Sequence, residues 1–209
     1  GEDRLIVTGT AATVFVGGGK GNDLISLGAV AGGTVYGGSG ADTLNVGGAL
    51  SDATVSLGTT TGEDGADSLN VVGAVSATTI STDLANDTLI LSSSFVASTL
   101  SAGSGDDLVS IASSASGVID LGEGLNTLTA GTLSGATVSG GSSADTVTVT
   151  SSVNGSLSLG DGDNVISAGG LSGATVSLGS GADSITLGTL GFTNSTINSG
   201  SGADTIRVG

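Results

Sequence analysis

Aliphatic residues alternate with polar residues in short runs that recur along the whole chain. In residues 43–46, for example, Leu44 and Val46 are separated by the polar Asn45. An alternation with a period of two is typical of a β-strand that buries one face. A second aliphatic run follows each of these runs before the pattern starts again. Each unit of the pattern therefore predicts two short strands.

In every unit an aliphatic residue lies two positions after an Asp or Asn, and this Asp or Asn marks the repeat. These residues are Asp3, Asp23, Asp42, Asp67, Asp87, Asp107, Asn126, Asp145, Asn164, Asp183 and Asp204. Most are 19 to 21 residues apart, and one interval is 25 residues long. The repeat leaves no linker, so we expect a single domain over residues 1–209.

A unit of about 20 residues cannot bury its apolar face alone, but stacked copies form a continuous core. The period therefore predicts an all-β fold, a parallel β-roll or β-solenoid of about eleven turns with two short strands per turn. A β-sandwich is the alternative, but its strands would not keep one register over ten cycles.

Two further sets of apolar residues are expected to face the core. The second strand of each unit has one inward aliphatic residue: Val35, Val55, Ile80, Leu100, Ile119, Val138, Leu157, Val176 and Ile197. A third position lies at a corner rich in Gly and Ser, between the two strands: Val30, Leu50, Val75, Phe95, Leu133, Val153, Leu171 and Leu190.

Composition excludes several kinds of site. The chain has no Cys and no His, which removes disulfides, thiolate or imidazole metal ligands and the usual nucleophile pairs. A formal net charge of −16 repels nucleic acids and anionic membranes. No apolar run is long enough to span a bilayer. We therefore expect no nucleic-acid partner and no direct membrane insertion.

Most acidic residues lie in or beside the turns that carry the repeated Asp or Asn. Stacked carboxylates about 4.7 Å apart repel by about 1 kcal/mol in water, and by several-fold more where the effective dielectric constant is near 20. A divalent cation would remove this repulsion, and calcium takes six to eight oxygen ligands from carboxylates and backbone carbonyls. The sequence therefore predicts a column of several Ca²⁺ ions between successive turns.

The expected calcium ligands include residues beside the repeated Asp or Asn. A glycine two residues earlier can adopt the positive φ that turns carbonyls inward. Where Asn replaces Asp, an acidic residue three positions earlier restores the charge. The candidates besides the eleven Asp and Asn are Gly21, Gly40, Gly105, Gly181, Gly202, Glu123 and Asp161.

Residues 37–45, Gly-Gly-Ser-Gly-Ala-Asp-Thr-Leu-Asn, resemble the calcium-binding nonapeptide of RTX proteins, Gly-Gly-x-Gly-x-Asp-x-U-x with U a large aliphatic. In that family, glycine carbonyls and the Asp carboxylate bind calcium between stacked turns of a parallel β-roll. One motif per coil resembles the long RTX adhesins. Residues 83–87 lack both glycines of the motif, and residues 141–145 lack one.

The resemblance implies a non-enzymatic, calcium-binding structural repeat of a secreted microbial surface protein, such as an S-layer, an adhesin stalk or a similar fibre. We expect an extracellular location, folding and assembly on calcium binding, and self-association or continuation of the same array. Surface polysaccharide is a possible partner. A phage virion fibre and a polysaccharide-acting solenoid enzyme are alternatives, although the only bases are Arg4, Lys20 and Arg207.

An ice-binding domain is a further alternative, because Thr precedes the inward residue of the second strand in many units. The residues of this series are Thr13, Thr34, Thr54, Thr79, Thr99, Thr137, Thr175 and Thr196. Ser often follows the same inward residue, so we expect a flat face of hydroxyl groups. Thr and Ser are also ordinary surface residues of strands.

Overall fold

The computed structural model describes residues 1–60 and 62–209. In this part of the chain every element of regular secondary structure is a β-strand. No helix there is long and apolar enough to cross a membrane. The strands are β1 (Arg4–Val7), β2 (Ala11–Lys20), β3 (Leu24–Leu27), β4 (Val30–Ser39), β5 (Thr43–Val46), β6 (Leu50–Ser56), β7 (Ser68–Val71), β8 (Val75–Ser76), β9 (Thr79–Ser81), β10 (Thr88–Leu91), β11 (Phe95–Ser101), β12 (Leu108–Asp120), β13 (Thr127–Ser139), β14 (Thr146–Gly160), β15 (Val165–Ser172), β16 (Thr175–Leu178), β17 (Ser184–Thr193), β18 (Thr196–Asn198) and β19 (Thr205–Val208).

Every strand pairs in parallel with the equivalent strand one repeat later. Leu5 of β1 lies beside Ile25 of β3, Ile25 beside Leu44 of β5, and Leu44 beside Leu69 of β7. The chain therefore forms a parallel β-solenoid of about eleven turns, in which stacked strands are about 19 residues apart. This confirms the predicted fold class. We call one turn of the solenoid a coil.

The core runs along the inside of the coils and consists of the predicted alternating residues. Leu44, Leu69 and Leu89 are fully buried, as are most inward residues of the second strand. Ile197 is half-buried. Leu5 lies in an inward position but is 38% exposed, because a neighbouring coil covers it on only one side.

The corner residues predicted to be buried are buried, with one exception. Leu190 is 60% exposed, and Phe192 pairs with Leu171 in its place. The interval from Asp183 to Asp204 contains 21 residues, and the extra residues bulge out before this corner. The prediction for Leu190 was therefore wrong because the period does not show where an insertion falls.

The outward Thr series also needs one correction. Thr13 does not belong to it, because Phe15 pairs with Thr34 and occupies that position in the first complete coil. Thr13 instead has a φ of 52° at a bend of β2.

The longest interval, 25 residues, leaves the strand ladder intact. Its additional residues lie between the end of β6 and the start of β7, in the turn that precedes Asp67. Residue 61 of this turn lies outside the described residues. Asn45 of β5 still pairs with Asn70 of β7, so the core continues through this coil without a shift.

Candidate metal-binding column

The repeated Asp and Asn residues stack into a continuous hydrogen-bonded ladder along one edge of the solenoid. We call these eleven residues, from Asp3 to Asp204, the Asx column. At each step the backbone N–H of one residue donates to Oδ1 of the next, over 2.7 Å from Asp23 to Asp42, for example, and 2.9 Å from Asp107 to Asn126. Asp and Asn both provide this Oδ1 acceptor, which explains why either residue maintains the ladder.

The Asx column is buried, except at its ends. Asp3 is exposed and Asp204 is half-buried. The nine residues between them are at most 3% exposed. In seven of these, Oδ2 is buried without a hydrogen-bond partner among the described residues: Asp23, Asp42, Asp67, Asp87, Asp107, Asp145 and Asp183. A buried carboxylate oxygen without a partner carries a large desolvation cost.

The two Asn residues show what surrounds this second side-chain atom. Nδ2 of Asn126 donates to the carbonyls of Gly122 and Gly124, over 3.3 and 3.1 Å. Nδ2 of Asn164 donates to three carbonyls of its own turn, at 3.0 to 3.3 Å. The second atom of an Asx side chain therefore points toward backbone oxygen atoms. In an Asp turn of the same form, Oδ2 would face these carbonyl oxygens, and a proton, a hydrogen-bond donor or a cation between them would remove the repulsion.

The predicted turn glycines adopt the conformation that was expected of them. Gly21, Gly40, Gly105, Gly181 and Gly202 have φ angles between 102° and 146°. This region is open to glycine and strained for other residues.

Residues 83–87, which lack both glycines, keep the same conformation with other residues. Asp83 has a φ of 68° and Ala85 a φ of 76°, and Gly103 and Gly105 occupy these positions one coil later. The turn is therefore conserved in shape where its sequence motif is lost.

A second set of glycines makes room for the carboxylates. A Cβ atom on Gly18, Gly37 or Gly140 would lie 2.3, 2.5 or 2.0 Å from Oδ2 of the Asp five residues later. These glycines were not among the predicted site residues. The doubled glycine at the start of the motif, as in Gly37–Gly38, is the signal that could have identified them.

Burial raises the pKa of several carboxyls near the middle of the Asx column. Burial, helped by the charge of nearby carboxylates such as that of Asp64, raises the pKa of Asp67 to about 8 and the pKa of Asp87 to about 7. Burial also raises the pKa of Asp107 and of Asp145 to about 6. Asp67 and Asp87 therefore resist ionisation near neutral pH unless a cation compensates their charge.

Glu123 and Asp161, expected to restore charge beside the two Asn residues, lie exposed on the outer side of their turns. Oε2 of Glu123 accepts hydrogen bonds from Ser142 of the next coil, and Oδ1 of Asp161 accepts from both N and Oγ of Ser180 at 2.8 Å. The Ser180 hydrogen bonds lower the pKa of Asp161. These two carboxylates are therefore outside the buried column.

The longest coil adds a carboxylate that the sequence analysis missed. Oδ2 of Asp64 accepts a hydrogen bond from the N–H of Leu84 in the next coil, over 2.9 Å. Burial raises the pKa of this carboxyl. Asp64 could have been predicted from the sequence, because it is an additional acidic residue in the 25-residue interval.

The Asx column offers only oxygen atoms, which suits a hard cation such as calcium. Among the described residues, no three acidic side chains form a group that could hold a metal ion. A bound cation would therefore take most of its ligands from backbone carbonyls. Calcium accepts such irregular oxygen sites more readily than magnesium, which demands near-octahedral geometry.

No family model matches this chain, and comparisons with curated proteins and with solved structures give no match. The fold itself defines the class: this chain is a β-solenoid repeat protein.

Proposed function

We propose that this chain is a calcium-binding structural repeat of a secreted microbial surface protein, such as an S-layer protein, an adhesin stalk or a similar fibre. The observation that carries the proposal is the series of buried Oδ2 atoms without partners in the Asx column. The resemblance of residues 37–45 to the RTX nonapeptide supports the choice of calcium.

In this proposal, Oδ2 of the Asp residues and the glycine carbonyls of the same turns hold the cation. Calcium, when bound, supplies the positive charge that the buried carboxylates lack. Binding sites of this kind do not exist in an unfolded chain, so binding free energy becomes folding free energy. Calcium affinities of about 10⁻⁴ to 10⁻³ M are usual for extracellular modules, and an extracellular location fits such sites.

The proposed partners follow from the same arrangement. Regular parallel coils can continue into further copies of the repeat, and self-association is the expected form of assembly. Surface polysaccharide remains a proposed ligand of the uncharged Thr and Ser faces.

Far-UV circular dichroism during a calcium titration tests the proposal, with magnesium as the control. We expect β-structure to form or become more stable with calcium, to respond much less to magnesium and to be lost on adding a chelator. A solenoid whose stability is the same in calcium and in chelator at neutral pH would contradict the proposal.

Ice binding is a second candidate because of the face formed by the second strands. Thr34, Thr54, Thr79 and Thr99 lie beside one another on four successive coils. Neighbouring hydroxyls thus repeat about every 4.7 Å along the axis. Val118 interrupts this series in the next coil.

Thermal hysteresis of the calcium-loaded protein tests this candidate. Ice binding predicts a measurable hysteresis that is lost in the double variant Thr54→Glu/Thr79→Glu. Its absence in the unmodified chain would exclude the candidate and leave the structural role unaffected.

A further inference from the structure

We propose that the coils of Asn126 and Asn164 bind no cation, because the side-chain amide of each Asn takes the place that a cation takes in the Asp coils. The solenoid then has a cation-dependent stretch from Asp23 to Asp107 and a stretch around Asn126–Asn164 that holds together without metal. The cation-dependent half of this inference rests on the proposed function.

The orientation of each amide is fixed by the ladder. The N–H of Asp107 donates to Oδ1 of Asn126 over 2.9 Å, and the N–H of Asp145 donates to Oδ1 of Asn164 over 2.9 Å. Since Oδ1 must face a donor, Nδ2 must face the opposite side, where the backbone carbonyls lie.

The amide hydrogens also provide hydrogen-bond donors for the backbone carbonyls in the turns of these two coils. Nδ2 of Asn164 has three carbonyl acceptors, those of Gly160, Asp161 and Gly162. No side-chain atom of Asn126 or Asn164 is among the buried atoms without a partner, in contrast to seven Asp residues of the same column. The amide hydrogens point at the carbonyl oxygens that a cation would need as ligands. The Asn amide and a cation therefore exclude each other from the turn.

The order of residues along the column separates two regions. Asp residues occupy five successive buried positions from Asp23 to Asp107, whereas Asp145 has an uncharged Asn on each side. Once they are ionised at about pH 8, carboxylates in neighbouring coils repel one another, and neutral Asn residues interrupt this repulsion. Cation removal is therefore expected to destabilise the first region much more than the second.

Glu123 and Asp161 do not supply the missing charge in this account. Each accepts hydrogen bonds from a serine of the next coil on the exposed side of the turn. Their role is to link successive coils, and the amides make a further anionic ligand unnecessary.

Two variants of the full 209-residue chain test the inference. Asn126→Asp/Asn164→Asp restores Asp in both coils, and Asp107→Asn extends the neutral stretch by one coil. Calcium stoichiometry is measured by native mass spectrometry and equilibrium dialysis. We expect the double variant to bind at least one more calcium ion than the unmodified chain, and Asp107→Asn to bind fewer.

Amide hydrogen exchange in chelator provides a readout that does not depend on bound metal. In the unmodified chain we expect residues 127–171 to exchange at least ten-fold more slowly than residues 24–91. The double variant should lose this protection, whereas Asp107→Asn should keep or extend it. If the double variant fails to fold in chelator, Asp107→Asn still tests the inference.

The possible failures are distinguishable. An unmodified chain that binds no calcium overturns the proposed function, and the exchange measurement still tests the role of the amides. A chain that binds calcium, with the same stoichiometry in the double variant, overturns the inference alone. Uniform exchange along the metal-free chain overturns it as well.

Discussion

Each residue of the Asx column uses its two side-chain atoms for different purposes. Oδ1 accepts a backbone hydrogen bond from the preceding coil, which both Asp and Asn can do. The second atom faces the interior of the turn, where Asp presents an acceptor and Asn a donor. Exchange of one atom between Asp and Asn therefore keeps the ladder and changes the chemical group that faces the turn.

The metal-free chain should be more stable in mildly acidic solution than at pH 8. Folding raises the pKa of Asp67 to about 8 and of Asp87 to about 7, above the value near 3.9 of an unfolded Asp. The folded chain therefore binds more protons than the unfolded chain between about pH 4 and pH 8, and its stability falls as the pH rises through this range.

Thermal unfolding in chelator at pH 5 and pH 8 measures this effect. The melting temperature should be higher at pH 5, and the difference should shrink in Asp67→Asn, because the Asn amide does not ionise between these pH values. With calcium bound the trend should reverse, because its ligands must be deprotonated. A metal-free chain that is more stable at pH 8 would refute the expected proton uptake.

Gly37 is expected to tolerate no side chain. A Cβ atom there would lie 2.4 Å from the carbonyl oxygen of Leu57 and 2.5 Å from Oδ2 of Asp42. We expect Gly37→Ala to destabilise the fold by about 1–3 kcal/mol, the usual range for overpacking. In the control Gly47→Ala, the nearest atom lies 3.7 Å away. Equal urea midpoints for the two variants would show that this contact does not matter.

At the scale of elements, turns and strands depend on different features of the sequence. The strands need only alternation, and bulges keep the inward residues of successive coils paired where the spacing shifts within a strand. The turns need particular backbone conformations, which glycine adopts most easily. The turn at residues 83–87 shows that stacking on neighbouring coils can impose such a conformation on other residues, at a cost of about 1–2 kcal/mol each.

Ala85→Gly should therefore stabilise the solenoid. Ala85 has a φ of 76°, which glycine adopts without strain, although the greater freedom of unfolded glycine offsets part of the gain. We expect a net gain of about 0.5–1 kcal/mol by urea denaturation in calcium. Ala41→Gly is the control, since Ala41 has no positive φ and should lose stability. A loss in both variants would mean that Ala85 is not strained.

The sequence was sufficient to predict the strands, their stacking and the position of the Asx column, because a fixed period determines which residues become neighbours. It was not sufficient where the period changes. Leu190 lies at the predicted corner position, but the bulge places Phe192 beside Leu171 instead, and both Leu190 and Phe192 are exposed. The surroundings of the second atom of each Asx side chain could not be predicted either. They are backbone carbonyls, which every residue has, so no residue type marks them in the sequence.

At the scale of the whole molecule, the solenoid is a short rod. About eleven turns stacked at roughly 4.7 Å give a length of about 50 Å. A compact chain of this size has a radius of gyration of about 17 Å, whereas the unfolded chain approaches about 49 Å.

Small-angle X-ray scattering with calcium and with chelator at pH 8 follows this change. We expect a radius of gyration near or slightly above the compact value with calcium, and a clear increase without it. Under the further inference the increase stops short of the fully unfolded value, because the Asn-containing coils stay stacked. A radius that does not respond to calcium would indicate that cations do not control the overall shape.

The parallel ladder also determines how the molecule would respond to tension. The hydrogen bonds between coils run along the rod, so a pull on its two ends loads them in series, and coils can peel away one after another. Each released coil of about 19 residues adds roughly 60 Å of extended chain. Such a rod would lengthen in steps of similar size under load, with a longer step for the 25-residue interval, and a cation shared between neighbouring coils would raise the force that each step requires.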